Sequence, residues 1–238
     1  MKKRALMLAG LLIMAFILFG CTNGGGGQTV PDQVKQKYLS FVEKYISGNH
    51  NYVVDYEVID NSTQPEQYWA PSGSINYQKF TPVMKLNKMT VFFLSNETKF
   101  NIRTDVTILT NLTNPEHTTE NLTMQNFILS DYNKSFVCSK DKCVEQKMNS
   151  PLVLPTKEQA MATLNDQNIT ITLLPKIAVL PTDATCFQIV EPKMINCYLD
   201  DGVLAYIGND TAHIKLKTIQ RDVLTDLNFA LPYIPTSN

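Results

Sequence analysis

The chain is poor in the residues that carry most enzyme chemistry. It holds three histidines, His50, His117 and His213, and one tryptophan in 238 residues. No HExxH, no G-x-S-x-G and no glycine-rich phosphate loop occurs, which removes the readings those motifs would carry. His117 lies in the polar stretch Asn114-Pro115-Glu116-His117-Thr118 and His213 on the polar face of a strand. The histidines therefore read as surface residues, and a triad would have to be assembled from distant loops. Charge of one sign is also lacking, with 21 basic against 22 acidic residues. Nucleic acid wants a basic face, so it has no electrostatic case as a partner. Glycine is scarce, and four of the ten stand together at 24–27. There is no internal repeat, and no low-complexity segment apart from that glycine run.

What is present begins at the N-terminus. Lys2, Lys3 and Arg4 lead into an apolar run from Ala5 to Phe19, followed by Gly20 and Cys21. A basic start, a short apolar core and a small residue at the cut site make a secretory signal. Leu18-Phe19-Gly20-Cys21 resembles a lipobox, with Gly20 fitting and Phe19 standing where a small or β-branched residue is usual. Cys21 is then the lipid-attachment site and the membrane a partner through that lipid. The rival reading is an uncleaved anchor helix, for which the run is short, since spanning takes about 20 apolar residues. Either reading puts the rest of the chain on the extracytoplasmic face. The division is a signal over 1–20, an anchor and glycine tether over 21–29, and a single domain over 30–238. Removing Lys2, Lys3 and Arg4 leaves a formal charge of −4, 18 basic against 22 acidic residues.

Composition agrees with export. Four cysteines remain after Cys21: Cys138, Cys143, Cys186 and Cys197. An even number in an exported domain points to disulfides, with three connectivities open. Pairing of neighbours is preferred, because Cys138 to Cys143 closes a tight turn and Cys186 to Cys197 brackets two β-like runs. A four-cysteine zinc site is the rival, and the wide second spacing disfavours it. A thioredoxin-type redox motif is absent. Asn-x-Ser/Thr sequons begin at Asn61, Asn96, Asn111, Asn121, Asn133, Asn168 and Asn209. Chance would supply about three in such a composition, so glycosylation is expected. The alternative is an Asn- and Thr-rich chain that makes sequons incidentally. A lipobox with many sequons fits an archaeal surface protein better than a bacterial or eukaryotic one.

Periodicity predicts a helix over 31–47, where Val34, Tyr38, Phe41, Val42, Tyr45 and Ile46 share a face, with Gly48 at its end. The period then changes to two. Tyr52, Val54, Tyr56 and Val58 alternate with polar or smaller residues, as do Phe100, Ile102, Thr104, Val106 and Ile108. Ala212, Ile214, Leu216 and Thr218 do the same. Such alternation means antiparallel strands with one apolar face. Met89 to Leu94 is apolar on both faces except Thr90, which predicts a central strand covered on both sides. Shorter strands are expected over 124–129, 134–138, 143–146, 185–190, 195–199 and 203–207. A second short helix is expected over 157–165, with Thr156 and Gln159 as a capping box. The stretch 173–181 reads as a packed loop or a broken edge strand. Trp69, in Gln67-Tyr68-Trp69-Ala70-Pro71, reads as a loop residue that forms a lid, meets a partner or is pinned to the sheet. Asp200-Asp201-Gly202 reads as a hairpin turn before a carboxylate pair with Glu191. The ligand spacing of an EF-hand is missing.

An amphipathic helix, a long antiparallel meander, a small late helix and a closing strand follow one another. This order resembles the lipoprotein-localisation carrier superfamily, the LolA-like carriers and related lipoproteins. The matching pieces are the helix-to-strand passage at Tyr45 to Ile59 and the hairpin at Ser130 to Cys138. Two more are the hairpin Cys197-Tyr198…Asp201-Gly202-Val203-Leu204 and the closing Phe229…Leu231-Pro232. The resemblance implies a mainly β (α+β) fold: a curved antiparallel sheet, or incomplete β-barrel, packed on the N-terminal helix and the second short helix. It implies an apolar hollow for an acyl chain or another hydrophobic small molecule; separately, no cofactor or metal is expected from the residues. Tyr38, Phe41, Tyr45, Val91, Phe93, Phe100, Ile102, Val106, Ile214 and Leu216 either line that hollow or fill a dry core. Because the chain keeps its own anchor cysteine, a tethered, non-catalytic binder is expected rather than a shuttle. The other expectation is a structural or adhesive glycosylated module.

Overall fold

The structure, a computed structural model, describes residues 32–60, 67–69, 78–81, 83–96, 99–111, 119–146, 170–178, 180–190 and 193–236. The lipobox with Cys21, the tether, the expected helix at 157–165, His117, and sequons Asn61 and Asn168 lie outside those residues. Helix α1 spans Asp32–Ser47. Its spacing puts Val34, Tyr38, Phe41 and Val42 on the sheet, along with Leu39, which is 1% exposed. The helix stops where Gly48 donates its backbone N–H to the Lys44 carbonyl at 3.0 Å. A Cβ on Gly48 would meet that carbonyl at 2.5 Å and the His50 ring at 2.7 Å, so only glycine fits.

The strands are β1 Asn51–Asp60, β2 Gln67–Trp69, β3 Gln78–Phe80, β4 Met84–Ser95, β5 Phe100–Thr110, β6 Glu120–Leu129 and β7 Lys134–Ser139. They continue with β8 Lys142–Gln146, β9 Ile171–Leu173, β10 Thr185–Ile189, β11 Met194–Tyr198, β12 Leu204–Gly208, β13 Ala212–Arg221 and β14 Pro235–Thr236. Twelve of them form one open, mostly antiparallel sheet in the order β14-β8-β7-β6-β5-β4-β1-β13-β12-β11-β10-β9. The fold is therefore mainly β with an N-terminal helix, as the alternation predicts. The first strand lies in the middle, between β4 and β13. A separate pair, β2 and β3, makes a two-stranded sheet. Trp69 thus sits at the end of a short strand rather than in a loop, because Tyr68 and its neighbours find a partner in Lys79.

Opposed residues on paired strands share a face. On the face that carries α1, Tyr52, Phe93, Ile102 and Ile128 stand in one row. Ile219, Val54, Val91, Thr104, Asn126 and Val137 form the next. Leu216, Tyr56, Met89, Val106 and Met124 form a third. The simple alternation of β13 fails at one place. Between Asp55 and Tyr56 the register slips from Thr218 to Leu216. That bulge turns Thr218 to the back face, where its hydroxyl donates to Asp55 at 3.0 Å, and returns Ile219 to the apolar side.

The back face is covered by the C-terminal segment. Leu224, Phe229 and Leu231 pack on Val53, Phe92, Leu94, Phe127, Phe136 and the Cys138–Cys143 disulfide. Asn51 holds the start of the segment, accepting from the Leu224 N–H at 2.8 Å and donating to its carbonyl at 3.1 Å. Thr225 and Asn228 close a capping box around the short 3₁₀ turn Asp226–Phe229. The segment ends as β14, parallel to β8, an edge strand that alternation alone does not predict. Met89 to Leu94 is accordingly covered on both faces, with Met89 and Phe93 under one cluster and Phe92 and Leu94 under the other.

Candidate functional site

The apolar face under α1 is the candidate site, built from the helix downward. Tyr38 meets Phe187 edge-on with ring centres 5.2 Å apart, and Phe41 stacks on Tyr198 at 5.8 Å. These contacts seat the first half of α1 on β9, β10 and β11. The last turn lies over the middle of the sheet, where Tyr45 reaches Phe93 at 5.6 Å. Phe93 has no exposed surface and is boxed by Tyr45, His50 and Tyr52.

His50 is 6% exposed, which corrects the surface reading of the histidines. Its Nε2 lies 3.0 Å from the Lys44 carbonyl and 2.9 Å from that of Tyr45. Carbonyls only accept, so Nε2 carries the proton and closes the helix C-terminus. His213 is half-buried, stacked on Tyr206 at 5.1 Å, and its Nδ1 is buried without a partner among the described residues. Both histidines are drawn in by aromatic neighbours, His50 by Tyr45, Tyr52 and Phe93 and His213 by Tyr206 across its hairpin.

Burial alone pushes the Tyr45 phenol up to about 12. It also raises the phenols of Tyr52, Tyr56 and Tyr198, with smaller contributions from neighbouring tyrosines. All four stay neutral near pH 7 and so cannot serve as bases there. Tyr56 donates to the Leu204 carbonyl at 3.0 Å. Asn196 lies beside Tyr38, its Nδ2 3.5 Å from the phenol oxygen, while its Oδ1 is buried without a partner among the described residues.

Of the ten expected lining residues, Tyr38, Phe41, Phe93, Phe100, Val106 and Leu216 are buried. Tyr45, Val91, Ile102 and Ile214 are half-buried on the edge of the same cluster. Tyr38 and Phe41 serve the helix–sheet joint at β10 and β11, apart from the other eight. The sequence reading put Ile108 on the apolar face but named neither it nor Leu86, Leu122 and Ile128 among the lining residues, and all four are half-buried on this face. The period-two run Leu122, Met124, Asn126, Ile128 carries that signal. It also places an amide on the apolar face, and the Asn126 Nδ2 is buried with no hydrogen-bond partner among the described residues.

The polar groups on the back face are tied to one another. Asp55 accepts from Thr90 at 2.6 Å and from Thr218 at 3.0 Å. The Thr90 hydroxyl in particular holds its carboxyl below the usual range. Asp105 is clasped by Arg103 at 2.8 and 2.6 Å, and the guanidinium lies 4.6 Å above the Phe92 ring. In the Asp200-Asp201-Gly202 turn, Gly202 has φ +88°, as a hairpin requires, and Arg221 binds Asp201 at 2.7 and 3.0 Å. Among the described residues no three His, Cys, Asp or Glu side chains are grouped to hold a metal ion. The cysteines pair as neighbours, Cys138 with Cys143 and Cys186 with Cys197, each across two adjacent strands. Among the described residues no helix is long and apolar enough to cross a membrane. No protein-family model and no curated protein matches the chain.

Proposed function

We propose that this chain is an extracytoplasmic lipoprotein of LolA-like type, tethered through Cys21, that binds an acyl chain or another apolar ligand without catalysis. The observation that carries this reading is the helix-side face. Val91, Ile102, Ile108, Leu122 and Ile128 are half-buried side by side on three neighbouring strands. Aliphatic surface left half open in this way favours an apolar partner. Asn126, in the middle of that face, offers an N–H to a ligand oxygen, which suits an amphiphile better than a bare hydrocarbon. The two disulfides suit an oxidising compartment, and a tether keeps the domain where membrane lipids are its nearest ligands.

A second reading, a structural or adhesive glycosylated surface module, draws on a different observation. The ring box around Phe93 is completely filled, with His50, Tyr45 and Tyr52 in contact. Native mass spectrometry of a soluble form beginning at Gln28, prepared in an oxidising compartment and incubated with membrane lipid extract, separates the two. A stoichiometric apolar adduct is the expected result. A mass that stays at the bare chain after incubation rejects the binder and favours the structural module.

A further inference from the structure

The sequons in the described part of the chain are presented in different ways, and the differences are chemical. Asn111 is tied at both ends of its amide. Its Nδ2 donates to the Thr81 carbonyl at 3.1 Å, and its Oδ1 accepts from the Val83 N–H at 2.8 Å. Asn121 is exposed but lies in β6 opposite Leu109, so the extended backbone holds it and Thr123 side by side rather than folded together. Asn133 is exposed and left-handed at φ 49°, but Ser135, its sequon hydroxyl, is half-buried inside β7. Asn96 accepts from the Lys99 N–H at 3.0 Å, an intrinsic part of its hairpin.

Asn209 differs from Asn111, Asn121 and Asn133, and shares with Asn96 an exposed place in a hairpin turn. It sits at the tip of the β12–β13 hairpin, and Asn209, Asp210 and Thr211 are all exposed. Its Oδ1 accepts from the N–H groups of Thr211 and Ala212, both at 2.9 Å. This turn folds the asparagine over its own sequon threonine and directs the amide carbonyl inward. Nδ2 is left without a partner among the described residues.

We infer that, among Asn111, Asn121, Asn133 and Asn209, Asn209 is the residue through which the folded chain accepts an N-linked glycan, and that Asn111 is a silent sequon. In the transfer, Nδ2 attacks the anomeric carbon of a polyprenyl-diphosphate-linked sugar. The new C–N bond replaces the sugar's C–O bond, the lipid diphosphate leaves with the electron pair, and the Nδ2 proton passes to a base of the transferase. At Asn209 the attacking nitrogen needs no bond broken, and the Asp210–Lys193 ion pair beside it, at 3.2 Å, is exposed and open to displacement. At Asn111 both amide hydrogen bonds oppose the attack.

The test uses the purified, disulfide-bonded full chain in detergent, a single-subunit oligosaccharyltransferase and a synthetic lipid-linked disaccharide, read by glycopeptide mapping. Asn209 is expected to be modified at least about tenfold faster than Asn111, a ratio worth about 1.4 kcal/mol. In the reduced, urea-unfolded chain the two rates should converge. Thr211→Ala should abolish transfer at Asn209 and Thr211→Ser restore it. Equal rates on the folded chain, or an Asn209 left bare there, would overturn the assignment.

Discussion

The imidazole of His50 lies stacked on the phenyl ring of Phe93, ring centres 4.9 Å apart and planes 26° from parallel. The same imidazole closes the C-terminus of α1. One side chain thus joins the helix to the middle of the sheet, and its loss should be felt in both. His50→Ala is expected to cost about 1–3 kcal/mol, summing a stacked pair and a hydrogen bond to the helix end. His50→Phe keeps the stacking and should recover about half. Urea unfolding with an unchanged slope and a lowered midpoint is the measurement. A midpoint within error of wild type for His50→Ala would exclude the joint role.

The C-terminal segment acts as a cover for the back of the sheet. Phe229 is 4% exposed within the cluster of Phe127 and Phe136. Phe229→Ala should destabilise by about 3–5 kcal/mol. Removing the chain after Asp222 should expose Phe127 and Phe136 and raise binding of a hydrophobic dye. An unchanged dye signal after truncation would show that something else covers that face.

Asn126 should separate stability from binding. Replacing it with leucine removes a buried unpaired donor, so Asn126→Leu is expected to stabilise by about 1 kcal/mol. If the helix-side face takes an amphiphile, the same change should weaken retention of a fluorescent diacylglycerol while sparing an alkane probe of equal length. Equal retention of both probes by both proteins would remove Asn126 from recognition and leave the apolar binding itself standing.

Asp55 makes an acid-side prediction. Its carboxyl is lowered chiefly by the Thr90 hydroxyl, with Thr218 assisting. A carboxyl whose folded value lies below the unfolded one, about 3.9, stabilises above that value. The contribution is lost as pH falls through the folded value. Thr90→Val should raise the Asp55 value back toward the unfolded one and shrink this acid-side loss. A carbon-13 carboxyl titration reads the shift directly, and no upward movement in the variant would reassign the cause.

The strands were largely legible in the sequence, and the reason is local. Alternation in Tyr52 to Val58 or Phe100 to Ile108 reports which side of a strand is dry, because successive side chains point to opposite faces. Helix α1 and the Asp200-Asp201-Gly202 turn were legible on the same ground, as was the pairing of cysteines that flank single hairpins. Missed were β14, whose partner β8 lies far back along the chain, the short β2–β3 pair, and the burial of His50 against Phe93 of another strand. Asn126 was overlooked because an amide in an alternating run looks like any polar interruption until the neighbouring strands are placed beside it.

By itself, then, the sequence determined the helix, the long strands, the doubly apolar β4 and the two covalent links, since each follows from the period of side-chain direction or from short spacing. Only the tertiary structure decided that β1 lies between β4 and β13, that the C-terminus crosses the back of the sheet, and that His50 and Asn126 are sunk in apolar faces. Those outcomes depend on which strands pair and which segments pack across the sheet, and local spacing does not carry that information. A slip like that between Asp55 and Tyr56 reverses every later side chain, and only the register of the assembled sheet determines where the slip falls.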